Sequence, residues 1–248
     1  MKKYALLLLA IQFAFSQNNL EITYSIKYNT AFYNERIGTL QIDLKNEKAL
    51  FKISENIKQV ELKEKSDDET NKFNLVKKNE LDRYIFTDYK LDTLVFNENI
   101  NRKEYTIKEE IPNFDWKLEE TFTKKIGDFN CKKATLNFRG RNFIAWYSEE
   151  YPVKMGPWKF SGLPGLIIEV YDESLRYYWG VTSIKKVNEI NISSLENIKN
   201  ESIGIKEYID IIYNKEQEPI ISDLPRGVKV ENNKIPRTRL EVKFEWEK

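Results

Sequence analysis

The chain has 248 residues, and its 40 basic and 39 acidic side chains leave a formal net charge of +1, which is too balanced to attract nucleic acid over a distance. It contains no histidine, which excludes Ser-His-Asp triads, Cys-His dyads and histidine-ligated metal sites. No glycine-rich loop of the P-loop or dinucleotide-binding kind is present, and a single cysteine leaves a structural zinc site almost without ligands. We therefore expect no catalytic residue of these types, no metal and no cofactor.

The N-terminus is typical of a secretory signal peptide. A basic head precedes an almost unbroken apolar segment at 4–15, and Ala14 and Ser16 are small residues at the two positions that a signal peptidase reads. A buried N-terminal helix is the alternative interpretation. The apolar segment is shorter than the about 20 residues that cross a bilayer, and no later segment is long and apolar enough. The sequence predicts cleavage of residues 1–16 and an exported single domain at 17–248 with no transmembrane segment.

The body of the chain is dominated by alternating apolar and polar residues. This period of two occurs at 22–28, 40–44, 134–138 and 240–246, and it is typical of strands with one buried and one solvated face. Solvated faces favour antiparallel over parallel sheets. Further strands are predicted at 49–54, 84–88, 93–97, 105–109, 142–147, 166–171 and 177–184, and the polar run at 63–71 is predicted to be a loop.

Cys131 is the only cysteine, so an exported chain would have no internal disulfide. It could be a reactive thiol beside Lys132 and Lys133, or a small buried residue at the start of a strand. We favour burial, because free cysteine is among the most buried residue types. Residues 139–142 are predicted to form the tight turn of a hairpin.

The most informative segment is 156–168, which concentrates three of the nine glycines and two of the seven prolines of the chain. Pro164 and Gly165 suit the central positions of a type II turn, in which Gly165 would have a positive φ. Ten residues of this segment are candidates for a structural or interaction site. All of them except Lys159 are turn formers or apolar residues. They are Gly156, Pro157, Trp158, Lys159, Gly162, Leu163, Pro164, Gly165, Leu166 and Ile167.

One amphipathic helix is predicted near 203–216, because Ile205, Tyr208, Ile209 and Ile212 recur at helical spacing. Its apolar stripe indicates a packing face, which would cover part of the sheet. The fold predicted from these patterns is mainly β. It is an antiparallel sheet curved into an open half-barrel or sandwich, with this helix packed on it.

Residues 162–167 read Gly-Leu-Pro-Gly-Leu-Ile, and the chain resembles the GLPGLI family, which is named after this signature. The segments at 116–118, 125–135 and 138–147 also resemble the central block of that family. The resemblance implies an exported protein of a Gram-negative envelope, mainly β, found in connection with outer-membrane TonB-dependent receptors. The arrangement is also similar to half-barrel carriers that hold lipid or lipoprotein chains.

Two functions are consistent with these patterns. The first is a non-enzymatic binding protein in the periplasm or at the outer membrane, whose partner is an outer-membrane protein or a hydrophobic or peptide ligand lying on an aromatic concave face. The second is a hydrolase of envelope material that uses two carboxylates, which no pair in the sequence specifically supports. Glu109, Glu110, Glu149 and Glu150 are expected to be solvated. The 156–168 segment is either purely structural or an interaction site, in which case Trp158 and Lys159 are its expected contacts.

Overall fold

The computed structural model describes residues 19–30, 33–54, 83–100, 102–190, 192, 202–215 and 237–247. Twelve strands form one sheet, and one short helix lies close to the C-terminal end. The strands are β1 (Asn19–Asn29), β2 (Tyr33–Asp43), β3 (Lys48–Ser54), β4 (Arg83–Asp88), β5 (Thr93–Ile100), β6 (Lys103–Glu109), β7 (Lys117–Ile126), β8 (Phe129–Phe138), β9 (Arg141–Ser148), β10 (Leu166–Asp172), β11 (Tyr177–Val187) and β12 (Ser202–Gly204). Helix α1 (Ile205–Asp210) continues into a π-helical turn (Ile211–Lys215).

The sheet is an open antiparallel meander with one rearrangement. Its order is β12-β6-β5-β4-β3-β2-β1-β11-β10-β9-β8-β7, so two meanders, β1 to β6 and β7 to β11, are joined by the pairing of β1 with β11. Only β12 pairs in parallel, with β6. The sheet ends at β7 and β12 and does not close into a barrel. This confirms the predicted class of fold, a mainly β structure built on an open antiparallel sheet.

The core lies on one face of this sheet. On β1, for example, Leu20, Ile22, Tyr24 and Ile26 are buried while the residues between them remain partly accessible, because side chains alternate across a strand. The buried face packs against a second layer that contains the 149–165 segment, α1 with its π-helical turn, and the C-terminal segment 237–247. Trp158, Phe160, Tyr208 and Phe244 of this layer belong to the same apolar cluster as the strands. A smaller cluster of Leu50, Phe86 and Ile192 is separate from it.

Most of the predicted elements are confirmed within one to three residues at each end, including the hairpin between β8 and β9. Arg139 and Gly140 form its two-residue turn, and both have positive φ (43° and 82°), as a type I′ turn requires. The predicted helix is confirmed in α1 and its π-helical turn. The apolar stripe of this helix is a packing face, since Tyr208, Ile209 and Ile212 are buried.

The final predicted strand, at 240–246, is wrong, because residues 237–247 contain bends and turns but no strand. The backbone N–H groups of Val242 and Lys243 both donate to the carbonyl of Arg139, at 2.9 and 3.1 Å, instead of entering a ladder. Burial does not follow a period of two either, because the Glu241 carboxylate points inward and contacts Lys159. Specific anchoring to the β8–β9 turn has overridden the local strand pattern.

Strand β7 was not predicted. None of its ten residues is buried, so it lacks the alternation that revealed most of the other strands. Strand β12 was not predicted either, because residues 203–204 were assigned to the helix. The predicted signal peptide at 1–16 and the predicted loop at 63–71 lie outside the described residues. Within the part of the chain that the structure describes, no helix has the length and apolarity needed to cross a bilayer.

Candidate functional site

The 156–168 segment starts with a closed loop. Met155 and Ser161 form an isolated bridge, the N–H of Gly156 donates to Phe160 O at 2.9 Å, and the N–H of Phe160 donates to Pro157 O at 3.1 Å. Trp158 stands inside this turn with a φ of 54°, a conformation that is rare for a bulky residue. Such strain persists only where the surroundings enforce it. Here they do, because the Trp158 ring is fixed among other aromatic rings.

The predicted type II turn at Pro164-Gly165 is wrong. Gly165 is absent from the residues with positive φ, whereas Gly162 has a φ of 94°. Gly165 is needed for another reason: a Cβ there would lie 2.6 Å from the carbonyl carbon of Ser148 and 2.9 Å from the backbone nitrogen of Glu149. The motif therefore combines one glycine required by conformation with another required by close approach of two backbones.

A β-bulge ends the motif. Ile167 pairs with Tyr147 and Glu169 with Trp146, which leaves Ile168 as the extra residue in β10. The Ile167 carbonyl accepts a buried hydrogen bond of 2.8 Å from the hydroxyl of Tyr24 on β1. Burial raises the pKa of Tyr24, so the hydroxyl keeps its proton and remains a donor.

Of the ten residues that the sequence singled out, Gly162 and Pro164 are exposed and the other eight are buried. The Trp158 ring stacks on Trp179 with 6.2 Å between centroids and meets Phe160 edge-on at 4.9 Å. The Lys159 side chain is only 1% exposed. Both residues are parts of the core, and both also line the cavity described below.

Lys159 belongs to a buried cluster of charges drawn from distant parts of the chain. Its ammonium group contacts Glu109 and lies 3.1 Å from Glu241 Oε2. Arg139 contacts the same two carboxylates, at 2.9 Å from Glu109 Oε2, and also Glu245 at 2.9 Å. Because Glu109 ends β6 and Arg139 follows β8, these ion pairs link strands that lie near opposite edges of the sheet. The cluster thus holds the curved sheet across its open side.

The charges in this cluster neutralise one another. Burial alone would raise the pKa of Glu241, but Lys159 and Arg139 outweigh it and hold that pKa below the ordinary value. Burial disfavours the charged form of Arg139, yet Glu241 and Glu109 raise its pKa further. The Arg139 guanidinium also lies 4.9 Å from the ring centroids of Phe138 and Phe244. Glu241 therefore stays ionised at neutral pH as a structural partner of the two cations.

A second arginine anchors the C-terminal segment. Arg141 donates from Nε to Leu240 O at 2.9 Å and from Nη2 to Arg239 O at 2.7 Å. Its guanidinium lies 4.8 Å from the centroid of the Tyr177 ring, and it pairs with Asp172 at 3.4 Å. Residues 238–242 are thereby held against the rim of the sheet.

Between the sheet and the covering layer lies a partly open cavity of about 320 Å³. Its walls come from β1, β3, β4, β5, β11, the 156–168 segment, α1 and the C-terminal segment. Aromatic side chains form much of this wall: Tyr28, Phe96, Trp158, Tyr177, Tyr208 and Tyr213. The volume is at the lower end of the range that ligand pockets occupy.

Charged groups on the cavity wall are paired, with one exception. Arg83 lies 3.6 Å from Glu98, and Lys159 pairs with Glu241. Arg239 lines the same cavity and is exposed, and within the described chain its side chain forms no ion pair. Its charge lowers the pKa of Tyr208, although burial dominates and raises the pKa of that hydroxyl overall. A guanidinium that has no ion pair among the described residues thus borders this cavity.

Sequence reasoning missed the charge cluster. Glu109 was expected to be solvated, but its side chain is 2% exposed; Glu149 and Glu150 are exposed, as expected. The alternation along β6 did contain a signal, since it places Glu109 on the same face as the buried Ile107. Glu241 and Arg139 offered no such signal, because their burial depends on the anchoring of the C-terminal segment.

Cys131 is 1% exposed, and burial raises the pKa of its thiol to about 11, which confirms the buried interpretation. Among the described residues, no cluster of histidine, cysteine or carboxylate side chains has the geometry of a metal site.

Comparison with known proteins gives a local match and a shared fold. A family described as "Protein of unknown function (Porph_ging)" matches residues 137–169. The matched segment contains the 162–167 motif. It also contains the Arg139 turn and Lys159, which are the two cations of the charge cluster. No curated protein matches the sequence.

Among solved structures, PNGF-II in two crystal forms is similar to this chain. The TM-scores are 0.52 and 0.51 at 20% identity, over 79% of this chain and 33% of the PNGF-II chain. The chain therefore spans about a third of that structure, and the similarity shows a common fold alone. A LolA superfamily protein from Nitrosomonas europaea aligns over 70% of this chain and 88% of its own, at 9% identity and a TM-score of 0.30. That score is too low to support an argument.

Proposed function

We propose that the chain is an exported, non-enzymatic binding protein that holds a ligand in the cavity between its sheet and its covering layer. The cavity itself is the observation that carries this proposal: it is partly open, about 320 Å³ in volume and lined by aromatic and polar side chains together. Concave sites with apolar walls and a few polar groups are where proteins bind small molecules.

The wall also indicates the chemistry of the ligand. Tyrosine, tryptophan and phenylalanine side chains suit an apolar or aromatic body, and Arg239 at the rim suits an anionic group, because its charge has no partner in the described chain. A small amphiphile, or one hydrophobic side chain and the carboxylate of a peptide end, meets both requirements. The part of either ligand that enters the cavity is limited to about the cavity volume.

Binding is favoured over carboxylate-based hydrolysis by the state of the carboxylates. Glu98 and Glu241, which line the cavity, each have a basic partner, at 3.6 Å from Arg83 and 3.1 Å from Lys159. A general acid in a glycosidase needs a raised pKa, whereas the cations beside Glu241 lower its pKa. Glu98 and Glu241 are therefore better suited to structural ion pairs than to acid and base catalysis.

The proposed location is the periplasm or the outer membrane, which the N-terminal sequence at 1–16 and the resemblance of 162–167 support. An outer-membrane protein, such as a TonB-dependent receptor, is the proposed macromolecular partner. Its role would be to deliver the ligand to the cavity or receive it.

The proposal is tested with two fluorescent dyes of similar shape. 8-Anilinonaphthalene-1-sulfonate combines an aromatic body with an anion, whereas N-phenyl-1-naphthylamine lacks the anion. We expect both to bind, the first more tightly. We expect Arg239→Gln to weaken sulfonate binding about tenfold, the effect of losing one charge-assisted contact of about 1.5 kcal/mol, and to leave the neutral dye unchanged. Lys185→Gln, an exposed substitution on β11, is the matched control.

The variant Ile209→Trp provides a second test of the proposed cavity site. Ile209 is buried at the cavity wall, and the larger side chain should fill the cavity and reduce binding of both dyes. Thermal unfolding must show that each variant is folded, because these dyes also bind partly unfolded chains. Absence of binding to the folded wild type, or equal binding to wild type and Ile209→Trp, would contradict the proposal.

A further inference from the structure

Strand β7 forms a long open edge of the sheet. Seven of its ten residues pair with β8 on one side, and no described strand pairs on the other. The opposite edge, β12, has only three residues and leads directly into α1. An open edge presents unpaired backbone donors and acceptors, which makes it a template for pairing with another strand.

The edge also exposes apolar side chains. Leu118 is 45% exposed and Phe122 is 57% exposed, and they are two of the six large apolar residues that the described chain leaves in solvent. Proteins that need only to protect an edge place like charges along it, commonly lysine. In β7 the charges have both signs, and they are separated along the strand.

The sequence of β7 is self-complementary about Phe122. Glu119 and Glu120 precede this residue, and Lys124 and Lys125 follow it at matching distances. Leu118 and Ile126 are likewise equidistant from Phe122. We propose that β7 pairs antiparallel with β7 of a second copy of this chain, so that the two sheets continue across a two-fold axis beside Phe122.

In this arrangement each acidic residue meets a basic residue. Glu119 lies opposite Lys125 of the partner subunit, Glu120 lies opposite Lys124 of the partner subunit, and two-fold symmetry repeats both pairs. Opposite charges directly across an antiparallel pair are stabilising, and like charges are destabilising. A parallel pairing in register would place like charges side by side, so the charge pattern specifies the antiparallel arrangement.

The intrachain contacts of β7 are compatible with this pairing. Glu119 already binds Lys133 at 2.9 Å, and Lys124 binds Glu169 at 2.8 Å. Glu120 and Lys125 have no ion pair with any described residue. Each proposed contact across the interface therefore gives one of these two residues a partner that it lacks within its own chain.

A bulge shapes the centre of the interface. Glu119 pairs with Lys133 and Thr123 with the adjacent Lys132, so residues 120–122 are additional in β7. In the proposed register, Leu118 and Glu119 form a regular ladder with Ile126 of the partner subunit and Lys125 of the partner subunit. Glu120 meets Lys124 of the partner subunit from within the bulge. The bulges face each other at the axis. There the exposed Phe122 ring, whose centroid lies 5.2 Å from the Lys133 ammonium of its own chain, keeps its other face for packing.

The experiment is sedimentation equilibrium of the purified protein over a concentration series. Wild type is expected to form a reversible dimer. Glu120→Lys and Lys124→Glu each place like charges opposite each other twice in a homodimer, and each should weaken self-association roughly tenfold. Mixed in equal amounts, these two variants restore opposite charges in both pairs, so a heterodimer should form with nearly the wild-type affinity.

The mixture separates a pairing role from a folding defect, because a misfolded variant would not regain association when it meets its complement. Lys185→Glu, which makes the same charge change on exposed β11, should dimerise as wild type does. The proposal is overturned if wild type stays monomeric up to about 1 mM, a bound that leaves no specific pairing. It is also overturned if both variants dimerise as wild type does, or if their mixture regains nothing.

Discussion

Replacing Lys159 with methionine tests whether the charge cluster holds the fold together. The substitution keeps the length and apolar stem of the side chain and removes only the charge. It leaves Glu109 and Glu241 buried with one cation, Arg139, instead of two. Glu109 then keeps a single basic partner, at 2.9 Å from the Arg139 guanidinium.

The expected loss of stability in Lys159→Met follows from the burial of the charge cluster. Removing one partner of a buried ion pair costs about 3–5 kcal/mol, because the remaining charge has lost its solvent and its counter-charge. Here Arg139 still contacts both carboxylates, so we expect a loss near the lower limit, about 3 kcal/mol. Glu241→Gln in the Lys159→Met background removes the excess negative charge and should recover about 1–2 kcal/mol of that loss.

Urea denaturation, monitored by tryptophan fluorescence, measures these differences in the free energy of unfolding. They are given by the shift in the midpoint, as long as the dependence of the free energy on urea concentration keeps the same slope. Lys52→Met, an exposed substitution on β3, is the matched control and should change the free energy of unfolding by less than about 0.5 kcal/mol. The reasoning is refuted if Lys159→Met costs less than about 1 kcal/mol, or if the double variant is less stable than the single one.

Three further predictions concern the motif, acid stability and the thiol. Gly165→Ala should destabilise by about 2–4 kcal/mol in urea denaturation, because its Cβ collides with the backbone of Ser148, whereas Gly162→Ala should cost only about 1 kcal/mol for its positive φ. Because the pKa of Glu241 is lowered in the folded state, its contribution is complete above its unfolded pKa of about 4.3 and should be lost as the pH falls further, which acid titration of the melting temperature measures. Cys131 should react with a disulfide reagent at pH 8 much more slowly than in urea, since burial raises its pKa to about 11; equal rates would contradict its burial.

Most of the sheet could be predicted from the sequence because one face of most strands is buried. A period of two is a direct consequence of that burial, so β1 and β8 were found from Ile22 or Leu136 and their neighbours. Strand β7 has no buried face and left no such pattern. The 240–246 segment has the pattern without the strand, because its backbone is bonded to the turn at Arg139. At 240–246 the alternation of residue types therefore predicted neither the ladder nor the pattern of burial.

The candidate site could be predicted only in part, for a related reason. Trp158 and Lys159 were singled out because turn geometry does not explain them, and both line the cavity. The ion-pair partners of Lys159 come from β6 and the C-terminal segment, 50 and 82 residues away in the sequence. Pairing between such distant residues leaves no local signature. The type II turn failed because Pro-Gly is also suited to a close backbone approach, which composition cannot distinguish from a positive φ.

The position of the motif determines where stability and binding can be separated. Trp158 belongs to the core and Lys159 to the charge cluster, and both line the cavity, so substitutions at either residue change the fold together with any binding. Arg239 is different, because its side chain is exposed and only its carbonyl anchors the chain, through Arg141. Selection for a new ligand could therefore change the rim at low cost, while the motif is constrained by the fold.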